Sequence, residues 1–170
     1  MYIKYGIISA LVYSAIELAF YFAFGNSIGF TTKFFLDFVL LNLVLYIFLY
    51  FPIKAKIYSL DNPKYYYGEG MKSGFGTAFV AAIVITIFTW VYYKYINKDF
   101  FSTIDASTID HINNSKLDSL KKSSSIKTLI ANSSVVTLML QQFAFTIISG
   151  MIASFILGAI ISGKRKKSNS

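Results

Sequence analysis

Cysteine is absent from the chain, which excludes disulfides, zinc-thiolate centres and a thiol nucleophile. Histidine occurs once, at His111, so a multi-histidine metal site cannot form within one copy. Charge is scarce too. Only 14% of the 170 residues are Asp, Glu, Lys or Arg, against 55% hydrophobic and 18% aromatic. With a mean hydropathy of +0.57, too little polar surface remains to clothe a water-soluble domain of this size.

What is present is apolar sequence in blocks long enough to cross a bilayer. A hydrocarbon core about 30 Å thick takes roughly 20 helical residues, and four segments qualify, at about 5–24, 34–53, 76–96 and 139–162. The pattern predicts one all-α membrane domain of four transmembrane helices. Tyr and Phe crowd the ends of the spans, as an interfacial aromatic belt would. The breaks fall at Gly25-Asn26-Ser27-Ile28-Gly29, and then at Pro52, Pro63 and a cluster of glycines. Ala23 and Gly25 are spaced like a signal-peptide cleavage site, but the first apolar run is too long for one and contains Glu17, so a retained helix is expected.

The formal charge of +8 does not suggest nucleic acid, because most of the basic residues flank the apolar blocks, with Lys121, Lys122 and Lys127 the exceptions inside a longer polar segment. Lys54, Lys56, Lys64 and Lys72 lie between spans two and three, and Lys164, Arg165, Lys166 and Lys167 follow span four. Both groups share a side with Lys4. The positive-inside rule then puts both termini in the cytoplasm and the 97–138 segment outside. That segment, rich in Ser, Asp and Lys, is expected to be partly helical: Ile109, Ile112, Leu117 and Leu120 fall near one helical face. It would serve as a cap over the bundle or as a partner-binding element.

The stretch from Lys54 to Phe101 carries Lys54-Ala55-Lys56-Ile57-Tyr58, Tyr67-Gly68-Glu69-Gly70 and Ser73-Gly74-Phe75-Gly76-Thr77-Ala78-Phe79. Trp90, Tyr92, Tyr93 and Asp99-Phe100 follow. This resembles a family of small four-span bacterial inner-membrane proteins whose domain has no assigned function. The resemblance implies a fold and a location, and no activity.

Glu17 is the most informative single residue, because a carboxylate at membrane depth is costly and faces a cavity or a partner. It shares a helical face with Gly6, Ala10 and Ser14, and by helical rise Asn42, Thr89 and Thr146 lie at similar depth on the other spans. The layer reads either as a hydrogen-bonded lock, with Glu17 protonated or held by Asn42, or as an ion or proton site. Asp37, near the outer end of span two, can reach water and needs no special role. Gly70, Lys72 and Gly74 read as a glycine-rich turn at a helix start, a candidate lipid-phosphate contact, though its spacing fits no nucleotide-binding loop. Gly150, Ser154, Gly158 and Ser162 recur every four residues as a close-packing strip. Matching strips in spans one and three predict that spans one, three and four form the tight core, with span two more exposed to lipid or to a partner.

No Ser-His-Asp layout and no paired carboxylates in the loops suggest catalysis; neither an enzyme nor a cofactor is expected. The leading expectation is a non-enzymatic membrane subunit in contact with lipid, assembling with itself or with another envelope protein. The alternative is a small ion- or proton-coupled transporter or channel using Glu17.

Overall fold

The computed structural model describes residues 1–25, 30–116, 118–132 and 134–168. Asn26, Ser27, Ile28, Gly29 and Leu117 lie outside the described residues, as do the side chains of Lys33, Asp105, His111 and Lys167. Four long helices are apolar enough to cross a membrane: α1 (Tyr2–Phe24), α2 (Phe30–Tyr58), α3 (Tyr66–Val91) and α6 (Val135–Ser168). A 3₁₀ turn, Pro63–Tyr65, precedes α3, and a π-helical turn, Tyr92–Ile96, continues it. Between α3 and α6 stand two shorter helices, α4 (Phe100–Asn113) and α5 (Ser119–Asn132).

The first, second and fourth spans contain their expected segments, the third does so together with the π-helical turn, and α3 begins ten residues before its segment while α2 and α6 pass theirs at both ends. Pro52 does not end the second span. It sits inside α2, lacking the N–H that the Phe48 carbonyl would accept, but the turns beyond it are fixed by Ile53 and Ile57, both fully buried. The Ser73 hydroxyl donates to the Pro52 carbonyl at 3.2 Å, tying α2 to α3 at that point. The glycine cluster is likewise no turn. Gly68, Gly70, Gly74 and Gly76 all lie within α3.

Those glycines serve packing. A Cβ at Gly70 would lie 2.6 Å from the Ile57 side chain, and one at Gly74 would strike Ile53 at 2.7 Å and also the Ser154 hydroxyl. On the partner helix, a Cβ at Gly150 would collide with Ala78. Gly74 against Ser154 and Gly150 against Ala78 form an antiparallel seam between α3 and α6, the most extensive helix pair in the molecule. Gly158 extends it, facing the Tyr67 ring. All four members of the α6 strip are buried, as close packing without a hydrophobic drive in lipid requires.

The expected ranking of the spans needs one correction. α2 packs against α1, α3 and α6, whereas α1 is the least buried of the four. The reason is the pair Gly70 and Gly74, which lets Ile57 and Ile53 of α2 lie close against α3. α1 does approach α3 closely, since a Cβ at Gly6 would lie 2.7 Å from the Thr77 carbonyl oxygen. The outward face of α2 is nevertheless apolar and exposed at Leu43, Ile47 and Phe51.

Contacts fix the two ends of the bundle. Tyr5 stacks on Phe51 and Arg165 lies over Tyr58, so the N-terminus, the α2–α3 connection and the end of α6 share one end. Tyr21 meets Tyr92 and Phe38 meets Phe145 at the other. There α4 and α5 pack on each other, and Phe100 at the start of α4 is buried against the Tyr93 ring. Asp118 accepts the Lys121 amide at the start of α5, and Lys122 Nζ donates to the Asn113 carbonyl at the end of α4, both favourable at helix ends. The single apolar face expected across this segment is divided by the α4–α5 turn: Ile109 and Ile112 are half-buried on α4, while Leu120 on α5 is 83% exposed.

Candidate functional site

The buried face of α1 runs Gly6, Ser9, Ala10, Tyr13, Ser14, Glu17, the spacing of one helical stripe. Its small residues let α1 lie against α3, and its last two long side chains, Tyr13 and Glu17, reach a cavity of about 70 Å³ near the α4–α5 end. That volume holds a few water molecules. Glu17, only 4% exposed, shares the cavity with Asp37 of α2, Thr89 of α3, and Gln141 and Gln142 of α6. Aromatic rings, among them Phe88, Tyr92, Tyr93 and Phe100, form the rest of the wall.

The π-helical turn shapes one side. Its closing bond runs from the Asn97 amide to the Tyr92 carbonyl at 2.8 Å, and Tyr92 and Tyr93, successive residues, both line the cavity. Turns of this kind inside α-helices concentrate at functional sites. The turn is braced from both sides: the Tyr21 hydroxyl donates to the Ile96 carbonyl at 3.4 Å, and the Tyr93 ring packs on Phe100 with centroids 4.6 Å apart. A second, apolar cavity of about 190 Å³ adjoins between α1 and α2, sharing Asp37 and Tyr92 with the first and lined also by Phe20, Leu36, Val39 and Leu43.

Most of the polar atoms are oxygens. Glu17 and Asp37 contribute carboxylate oxygens, Tyr13 and Thr89 hydroxyls, and Gln142 an amide. Thr89 donates its proton to the Ile85 carbonyl at 2.9 Å, so its oxygen can only accept a further bond. Gln142 Nε2 donates to the Tyr13 hydroxyl at 3.3 Å, linking α6 to α1. Hard oxygen donors of this sort suit a proton or a hard cation rather than a soft metal. Beyond this level the bundle closes on Leu45, Leu49, Ala78 and Ile85, all fully buried or within 1% of it.

Of the four residues expected at one depth, Glu17 and Thr89 meet in the cavity. Thr146 is buried one turn along α6 and donates to the Gln142 carbonyl at 2.7 Å. Asn42 takes no part in the cavity wall: its Nδ2 donates to the Phe38 carbonyl of its own helix at 2.8 Å. Asp37, set aside from sequence, does line it, with Tyr13 and Gln142. Their signal was faint but present, since Tyr13 lies one turn before Glu17 and Gln142 one turn before Thr146. The glycine-rich anion cradle does not form. Gly70 and Gly74 are helical and covered by Ile57 and Ser154, and Lys72 Nζ bonds Glu69 at 2.8 Å.

The family comparison accounts for nearly the whole chain. The model of a family described as "Protein of unknown function (DUF4199)" matches residues 4–162. The chain belongs to the DUF4199 family. The matched DUF4199 region takes in α2 and α3 whole, nearly all of α1, most of α6, the cavity and the α3–α6 seam. Comparison with curated proteins and with solved structures gives no match.

Proposed function

We propose that this DUF4199 chain is a non-enzymatic membrane protein whose working site is the Glu17 cavity, where a proton or a small hard cation is taken up in a coupled transport step. The observation that carries the reading is the meeting of Glu17 and Asp37, from different helices, in one cavity with Tyr13, Thr89 and Gln142. Two carboxylates in a low-dielectric site repel when both are ionised, and a bound proton or cation removes that repulsion. The packed bundle beyond the cavity supports a gated carrier over an open channel. Liposomes containing the reconstituted protein, under an imposed pH gradient and read with an internal pH dye, test this. Proton flux that vanishes in Glu17→Gln while the melting temperature holds supports the reading; absent flux, or flux equal in both proteins, overturns it.

The second reading is an assembly subunit that docks a copy of itself or another envelope protein through α4 and α5. It is supported by the way these helices pack on each other and by the exposure of Leu120. Co-elution of a defined partner in gentle detergent, lost in Leu120→Asp, would favour it. For both readings we place the protein in a bacterial inner membrane with its termini in the cytoplasm, because the basic residues closest to the ends of the spans, Lys4, Lys54, Lys56 and the run 164–167, lie at that end, and lysines in the longer segment between α3 and α6 weigh less.

A further inference from the structure

The end of the bundle that carries the termini holds two sets of cations with different surroundings. Lys56 and Lys72 both pair with Glu69, at 3.6 and 2.8 Å. Lys54 and Arg165 instead converge on a single ring: Lys54 Nζ lies 5.8 Å from the Tyr58 centroid and the Arg165 guanidinium carbon 4.8 Å from it. Lys54 also lies 5.5 Å from the Tyr50 centroid. Among the described residues no carboxylate pairs with either cation. A tyrosine ring attracts each, yet two like charges brought to one ring repel unless an anion joins them.

Two donors on α6 point the same way. Arg165 Nε is buried and has no acceptor among the described residues, and neither has the hydroxyl of Ser162, one turn earlier and only 4% exposed. The contrast within α6 is clear. Ser154 and Thr146 each donate to the carbonyl four residues back, at 2.6 and 2.7 Å, as helical Ser and Thr ordinarily do in an apolar setting. Ser162 does not. Residues three apart share a helical face, so Ser162 and Arg165 present two unsatisfied donors side by side, and leaving a buried donor unsatisfied is costly.

We infer that Lys54, Tyr58, Ser162 and Arg165 form a binding site for the phosphate of an anionic phospholipid, at the junction of α2 and α6. A guanidinium, a hydroxyl and an ammonium match the oxygens of one phosphodiester. A lipid fits better than a free anion because the face of α2 running from Lys54 into the bilayer is exposed and apolar or aromatic at Tyr50, Ile47 and Leu43, a track for an acyl chain. The site stands apart from the Glu17 cavity and from the glycine-rich part of α3.

The test uses the full chain, purified and delipidated in a non-ionic detergent, with phosphatidylglycerol, phosphatidylcholine or inorganic phosphate added. Bound lipid is counted by native mass spectrometry and the melting temperature is followed. Phosphatidylglycerol should be retained and raise the melting temperature, and the other two should not. Arg165→Lys keeps the charge but loses the planar Nε, and should weaken retention about tenfold. Ser162→Ala should weaken it less, and Lys72→Gln should leave it unchanged. Equal retention of the two lipids, equal losses in Arg165→Lys and Lys72→Gln, or no loss in either Arg165→Lys or Ser162→Ala would overturn the site. Stabilisation by inorganic phosphate equal to that by phosphatidylglycerol would overturn the lipid.

Discussion

Gln142 Nε2 donates to the hydroxyl of Tyr13 at 3.3 Å, joining α6 to α1 across the cavity that holds Glu17. Elsewhere these two helices make little contact among the described residues, so the bond is their main direct link. Tyr13→Phe and Gln142→Leu should each lower the melting temperature in detergent. The double variant should be no worse than the sum less about 0.6 kcal/mol, the usual coupling of such pairs inside membranes. Strict additivity in this double-mutant cycle would show that the bond contributes nothing.

The α3–α6 seam makes a graded prediction. Gly150→Ala drives a methyl group into Ala78 and should destabilise by about 1–3 kcal/mol, the range for overpacking. At Gly158 the same change meets the Tyr67 ring at an ordinary 3.6 Å, and should cost little. Gly163→Ala meets nothing within 4 Å among the described residues, and should stabilise α6 by roughly 0.5–1 kcal/mol through helix propensity. Melting temperatures in one detergent check the order; equal effects at Gly150 and Gly163 would contradict the packing account.

Orientation is testable because the chain has no native cysteine. Single cysteines replacing Ser59, exposed beside α2, and Ser123, exposed on α5, can be probed with an impermeant thiol reagent on cells stripped of any outer barrier. Cysteine at Ser123 should react on intact cells and cysteine at Ser59 only after lysis. The reverse pattern would place the termini outside.

Much of the fold was legible because the signal for a span is long and simple: some twenty apolar residues with basic flanks. Its errors share one cause. Pro52 and the glycines of α3 are breakers by local preference, yet here buried Ile53 and Ile57 press into the spaces at Gly70 and Gly74, and tertiary packing overrides local preference. The site was half legible. Helical period shows which residues share a face within one helix, and so it joined Glu17 to Gly6 and Ala10. How each helix is rotated against its neighbours depends on pairwise packing, which is why Asn42 turned out to bond its own helix while Asp37 and Gln142 entered the cavity.

Asp37 separates the cavity from a general acidic surface effect. If the two carboxylates act together, Asp37→Asn should reduce coupled flux and change its pH profile, whereas Asp118→Asn, on the exposed start of α5, should alter neither. Flux measured across a range of pH in liposomes checks this. An identical response to both changes would mean that only net charge matters.

The central claim is that Glu17 changes its protonation or its bound ion as the protein works. Infrared difference spectra of the protein reconstituted in lipid, recorded on stepping the pH or adding a cation, observe that carboxyl group directly. A protonated-carboxyl band should lose intensity on the step and be missing from the difference spectrum of Glu17→Gln. A difference spectrum unchanged by Glu17→Gln, with melting temperatures also equal, would contradict it and leave Glu17 a static part of the bundle.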